Sequence, residues 1–152
     1  MMKYRQKVTI KDIDYLNVVS AFHDISFVKY LIQCQPVKLI FWDGIYNNNK
    51  AHFKFWFLVW HDFKVKHQLF SCDSDSLIFE DIGIELPMGM SSWKHKHIVK
   101  KNVNDIVIKD EIVFKHKSKF FGVLLYPIFI FPILLRKILY NQYFQHGVKN
   151  DK

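Results

Sequence analysis

Polar and apolar residues alternate with period two in two stretches near the C-terminal end. In the first, Lys94 and Lys96 point one way, and Trp93, His95 and His97 point the other. In the second, Lys109, Glu111 and Lys115 mark a wet face, and Ile106, Ile108, Asp110, Ile112 and Phe114 mark the opposite one. This is the signature of two half-buried strands. Asn102-Val103-Asn104-Asp105 between them is turn chemistry. A two-residue turn at Val103-Asn104 pairs Asn102 with Asp105. It therefore sets His97 opposite Asp110, His95 opposite Ile112 and Trp93 opposite Phe114. Two histidines and an aspartate then share the apolar face of a sheet, where unpaired polar groups are costly. Asp110 is expected to contact one of the two histidines, with no metal between them.

Earlier segments extend the pattern. Val8 and Ile10 predict a first strand. Asp14 can cap a short helix carrying Leu16, Val19 and Phe22, and Ser26 a second one carrying Phe27, Tyr30 and Leu31. Pro36 ends the helical region, and residues 37–42 read as a strand. Asn47, Asn48 and Asn49 form a turn. Residues 51–60 alternate with Phe53, Phe55, Phe57 and Val59 on one side. Phe63, Val65 and His67 continue a further strand, and residues 77–82 another, closed by Gly83 and Pro87. Strands joined in sequence by short turns predict an antiparallel meander. The fold class is α+β: about seven strands, two short helices after the first, and a long C-terminal helix.

That helix is expected because one sheet face needs a cover. Residues 120–135 are 16 apolar residues in a row, counting Tyr, Gly and Pro. A membrane span needs about 20, and Pro127 and Pro132 interrupt this run, so a helix gripped by the sheet is the preferred reading. The prolines are expected to bend or split it. Leu124, Ile128, Leu135 and Leu139 are its expected buried face.

Composition narrows the class. The 152 residues suit one domain, 1–152, and half of them are hydrophobic. Cys34 and Cys72 are isolated, without zinc or redox spacing, which fits a reducing cytoplasm. Residues 1–7 have no apolar core of a signal peptide. The net charge is +8, and residues 94–119 hold eight lysines against Asp105, Asp110 and Glu111. Such a surface suits a peripheral contact with an anionic membrane. Nucleic-acid binding is not expected, because most aromatics occupy inward strand positions instead of an exposed stacking platform.

The motif residues resemble those of the SRPBCC superfamily, most closely its small bacterial members. Phe79 and Asp81 fit an aromatic-then-acid strand, Trp93, His95 and His97 a Trp-x-His-x-His strand, and Asp110 and Phe114 the strand after it. Trp60 also fits. The superfamily includes START-type lipid-transfer domains, birch-pollen allergens, polyketide cyclases and coenzyme Q-binding proteins. The resemblance implies a helix-grip fold, with an apolar cavity between a curved sheet and the last helix. A fold shared this widely does not by itself set chemistry.

The expected function is non-catalytic binding or carrying of a hydrophobic or amphipathic small molecule or lipid. Phe55, Phe57, Phe79, Trp93, His95, His97, Asp110, Ile112, Phe114, Leu124 and Ile128 are the candidate cavity-lining residues. The alternative is a cyclase- or hydrolase-like enzyme using a buried His/Asp pair as acid and base. No nucleophile motif is present, and no catalytic residue or cofactor is assigned. His-x-His can start a metal site, with Asp81, Asp110 or His61 as a third ligand. No spacing requires one, and no metal is expected.

Overall fold

The computed structural model describes residues 1–146, so the domain reading over 1–152 extends past it. The strands are β1 (Met2–Lys11), β2 (Val37–Trp42), β3 (Lys50–Phe57), β4 (Val59–Cys72), β5 (Ser76–Glu85), β6 (Met90–Lys101) and β7 (Asp105–His116). The helices are α1 (Tyr15–Phe22), α2 (Ile25–Ile32) and α3 (Lys119–His146). All strands join one antiparallel sheet in the order β1-β7-β6-β5-β4-β3-β2. The meander from β2 to β7 is closed by β1, which pairs with β7 over its whole length.

The β6–β7 register is the one the two-residue turn predicts: His97 faces Asp110, His95 faces Ile112 and Trp93 faces Phe114. The turn is closed by Asn102 N–H donating to the Asp105 carbonyl at 2.8 Å. Asp14 caps α1 by accepting from Leu16 N–H at 3.0 Å. Several local expectations shift by a residue or two. Asp24, not Ser26, caps α2; its carboxylate accepts from the Ser26 N–H at 2.8 Å. On α1 the buried side chains are Tyr15, Val18, Ala21 and Phe22, whereas Leu16 is exposed. Residues 51–60 are not one strand. Leu58, at φ 63°, reverses the chain so that Trp56 pairs with Trp60 and Val59 opens β4 on the surface.

Helix α3 runs unbroken through Pro127 and Pro132 for 28 residues. It lies chiefly over β1, and touches β7 and α2. Its buried side chains, Leu125, Phe129, Ile133, Tyr140 and Phe144, recur at four- and seven-residue steps. The expected face was therefore one position out at its start: Leu124 is 60% exposed, while Leu139 is buried and Ile128 and Leu135 are half-buried. Gly122 permits the close approach of the first turn; a Cβ there would lie 3.0 Å from the His116 Cβ and 2.7 Å from the Met2 methyl. The helix is also long and apolar enough to cross a membrane by length and composition.

The core divides in two. One cluster packs α1, α2 and the end of α3 on the sheet through Phe22, Phe27, Leu77, Ile108 and Tyr140. The other packs the first half of α3 on Trp93, Ile112, Phe114 and Val65. Between them each element carries polar residues: Arg136 lies between Ile133 and Tyr140, Asp110 between Ile108 and Ile112, and His95 and His97 between Trp93 and Val99. Ile133→Ala is expected to cost about 2–5 kcal/mol, and Leu124→Ala no more than about 0.5 kcal/mol. Urea unfolding of the two variants measures the contrast.

Candidate functional site

Two rows of directly opposed residues cross the sheet's inner face. Gln6, Asp110, His97 and Phe79 form one, on β1, β7, β6 and β5. Tyr4, Ile112, His95, Asp81 and His67 form the other, ending on β4. Opposed residues bring their Cβ atoms to about 4.5–5.5 Å. Three histidines and two carboxylates therefore meet because the registers place them side by side.

Asp110 is fully buried. Its Oδ2 accepts from Gln6 Nε2 at 2.9 Å. Its Oδ1 accepts from His95 Nε2 at 2.9 Å and from the Tyr140 hydroxyl at 3.4 Å. Arg136 Nη1 lies 3.8 Å from the same oxygen. His97 Nδ1 is 3.2 Å away but off the hydrogen-bonding direction, so that contact is chiefly electrostatic. Gln6 also donates to the Ile133 carbonyl at 2.7 Å, which ties the first strand to the last helix.

Asp81 is the second centre. His97 Nε2 hydrogen-bonds to its Oδ2 at 3.1 Å, and His95 Nδ1 stands 3.9 Å from that oxygen. His67 Nε2 is 3.2 Å from Oδ1 without a hydrogen bond between them. His67 Nδ1 meets the Asn49 carbonyl at 3.2 Å. One ligand atom each from Asp81, His95 and His97 lies within 4.8 Å of the other two.

Burial would raise both carboxyl groups. Against it, His97 and His67 hold Asp81 well below the usual carboxylate value, and the hydrogen bond from His95 with the close contact of His97 does the same for Asp110. The histidines divide. Burial, helped by the charge on His97, lowers His95 to about 4. Burial would also lower His97, but Asp81 and Asp110 together raise it. Arg136 is raised by Tyr140 and the two carboxylates against the cost of burial. Burial also drives the Tyr140 phenol upward, so it remains a donor. The two carboxylates thus favour the cationic form of His97 beside the Arg136 guanidinium, and burial favours the neutral form of His95.

Beside this cluster lies a cavity of about 520 Å³ between α3 and strands β3 to β6. Its wall includes Phe55, Phe57, Trp93, His95 and Ile128 from the expected set, together with Phe63, Val65, Phe129 and Ile133. Asp81, His95 and Arg136 are its charged or titratable residues. The remaining expected residues stand elsewhere. Ile112 and Phe114 are fully buried in the core beside the cavity and do not line it, because α3 side chains cover them. Phe79 and His97 stack at 4.4 Å against the α1 side of the core. Asp110 is enclosed by its own partners, and Leu124 faces outward. His61 is remote from the cluster in its contacts; it stacks on Phe55 and meets the Phe57 carbonyl at the β3–β4 hairpin.

Sequence reasoning missed Gln6, His67, Arg136 and Tyr140 as site residues. Gln6 shares the parity of Val8 and Ile10, and His67 that of Phe63 and Val65, so both signals were present. Arg136 and Tyr140 lie one helical turn apart, the spacing that puts two side chains on one face.

No family model and no curated protein matches the sequence. Solved structures do. Norcoclaurine synthase from Thalictrum flavum, in complex with dopamine and hydroxybenzaldehyde, aligns over 99% of this chain and 88% of its own, with a TM-score of 0.70 and 14% identity. The di-domain ARO/CYC StfQ of the steffimycin biosynthetic pathway aligns over 97% of this chain and 52% of its own, with a TM-score of 0.65 and 10% identity. The Aha1 dimer from Colwellia psychrerythraea gives 95% and 96% coverage, a TM-score of 0.56 and 11% identity. The fold is the helix-grip fold. Such helix-grip neighbours include ligand binders and some enzymes.

The charge division inside this helix-grip core predicts a stability maximum near pH 6.5 in chelator-treated protein. Below 6.5 the unfolded chain protonates residue 95, whereas folded His95 stays neutral to about 4. Stability therefore falls with pH across that window, by an amount on the order of a few kcal/mol. Below 3.8 the unfolded carboxyls protonate before Asp81 and Asp110, which adds to the loss. Above 6.5 the unfolded chain loses the residue-97 proton that folded His97 keeps, so stability also falls as pH rises. Urea midpoints across this range should form a dome; a monotonic rise from acid to alkaline pH would contradict the assignment.

Proposed function

We propose that the protein binds a hydrophobic or amphipathic small molecule, of lipid-like chemistry, in the cavity under α3, without transforming it. The wall itself carries this reading: about 520 Å³ lined mainly by aromatic and aliphatic side chains, with Asp81, His95 and Arg136 as the charged or titratable ones. Small-molecule sites have this volume and this mix of an apolar body with a few orienting polar groups. Arg136 supplies donors that Asp110 does not fully engage, so a carbonyl or carboxylate oxygen at one end of the ligand fits beside it.

The outer face of α3 adds a route for loading. Phe120, Val123, Leu124, Phe131 and Ile138 are exposed there, and Lys115, Lys117, Lys119 and Lys137 are exposed around it. An apolar stripe with basic margins suits the surface of an anionic bilayer. A reducing compartment is consistent with Cys34 and Cys72, both free and exposed.

An enzyme acting on the same ligand is the second reading. It is favoured by the placement of Asp81 and His95 in the cavity wall, with His95 oriented by Asp110.

Native mass spectrometry and fluorescent fatty-acid titration test these readings together. The expected result is one ligand per chain, with Ile128→Trp weakening binding at least about tenfold by filling the cavity. Delivery from phosphatidylserine vesicles should load the protein faster than delivery from neutral vesicles. Leu124→Glu should remove that gain and leave the equilibrium affinity unchanged. Absence of saturable binding, or binding indifferent to Ile128→Trp, would sink the cavity reading. A ligand released with altered mass, and unaltered from a His95→Gln variant that still binds it, would establish the enzyme reading instead.

A further inference from the structure

The three histidines around Asp81 are arranged in a way that a hydrogen-bonded core does not require. Each ring has one nitrogen turned to Asp81 and the other turned to an acceptor. His95 Nε2 meets Asp110, His97 Nδ1 lies over the same carboxylate, and His67 Nδ1 meets the Asn49 carbonyl. His95 Nε2 lies at hydrogen-bond distance from the Asp110 carboxylate, a group that accepts, which directs the Nε2 proton to it. The bare lone pair of His95 Nδ1 then faces Asp81 Oδ2 at 3.9 Å. His67 Nδ1 meets the Asn49 carbonyl, and its Nε2 faces Asp81 Oδ1 at 3.2 Å. That carboxylate oxygen is buried and has no hydrogen-bond partner among the described residues. Ligand atoms of Asp81, His95 and His97 converge where a cation would be held.

The distances suit one. Zinc binds imidazole nitrogen and carboxylate oxygen at about 2.0–2.2 Å, so neighbouring ligand atoms around a tetrahedral ion are about 3.3 Å apart. Asp81 Oδ2 is 3.1 Å from His97 Nε2 and 3.9 Å from His95 Nδ1. Histidines that bind a metal give their second nitrogen to a carboxylate or a backbone carbonyl, which fixes tautomer and ring direction. Asp110 stands in that position for His95, and the Nδ1 of His97 lies 3.2 Å from the same oxygen. His67, held by Asn49, steadies the second oxygen of Asp81.

We propose that Asp81, His95 and His97 bind a divalent transition-metal ion of the zinc class, through Asp81 Oδ2, His95 Nδ1 and His97 Nε2. Asp81 and His95 stand in the cavity wall, which gives the ion an entry path and turns its fourth coordination position toward the cavity. Three protein ligands with one open position is the arrangement of a zinc site that takes an exogenous oxygen or nitrogen ligand. The polar end of a cavity ligand would occupy it. In the metal-free protein His97 Nε2 hydrogen-bonds directly to Asp81 Oδ2 at 3.1 Å, and a bound ion would stand in place of that contact. The site depends on the cluster and not on the cavity's occupant, so it can fail while ligand binding stands.

Cobalt(II), which reports its geometry by colour, is the probe. Protein stripped with chelator and titrated with Co²⁺ should develop the intense visible bands of a four-coordinate ion, saturating at one equivalent and displaced by Zn²⁺. Asp81→Asn should weaken Co²⁺ binding at least about 100-fold, and Asp110→Asn, one shell out, about 10–100-fold. Should a variant not fold, wild-type ¹⁵N spectra with Zn²⁺ decide: the His95 Nδ1 and His97 Nε2 signals should move and those of His52 and His116 should not. No stoichiometric band, a band unchanged by Asp81→Asn, or shifts confined to His52 or His116 would overturn the proposal.

Discussion

A carboxylate with no exposure to water lies at the centre of this sheet, and most of the architecture serves to tolerate it. Bare burial of an ionised group costs far more than a small domain's whole stability. Asp110 survives as an anion because donors reach it from several elements: Gln6 on β1, His95 on β6, and Tyr140 with Arg136 on α3. Each of those elements is thereby fixed in register or rotation. A one-residue slip of β6 against β7 would turn both histidines to the lysine face and leave the carboxylate unpaired. The polar layer thus specifies the packing, while the two apolar clusters on either side supply most of the driving force.

The same layer sets the chemistry of the cavity. Asp81, His95 and Arg136 are where the charged cluster breaks through the apolar wall. The proposed amphipathic guest would meet its polar partners at these three residues and aromatic walls elsewhere. Structural neighbours below 25% identity share the layout of sheet and helix, not the cluster's function.

Much of the arrangement was legible in the sequence where two constraints agreed. Strand parity and the two-residue turn together set the opposition of His97 and Asp110. Asp14 precedes an amphipathic run and caps it. Legibility failed where only one constraint acted. Helix α3 is apolar nearly all round, so no polar face fixed its rotation, and Leu124 was taken for the inward residue that is in fact Leu125. The reversal at Leu58 uses a positive φ without Gly or Asn, and nothing local announces it. Asp24 and Ser26 are both good caps two residues apart, and only geometry separates them. His67 and Arg136 were hidden because their significance depends on strands and a helix brought together over long separations.

The central claim is that the buried carboxylates divide the two β6 histidines into one neutral ring and one cation. Long-range ¹H–¹⁵N correlation spectra of the metal-free protein at neutral pH measure this directly. The account predicts His95 as the neutral tautomer protonated at Nε2 with a bare Nδ1, and His97 protonated at both nitrogens. A neutral His97, or a His95 carrying its proton on Nδ1, would contradict it.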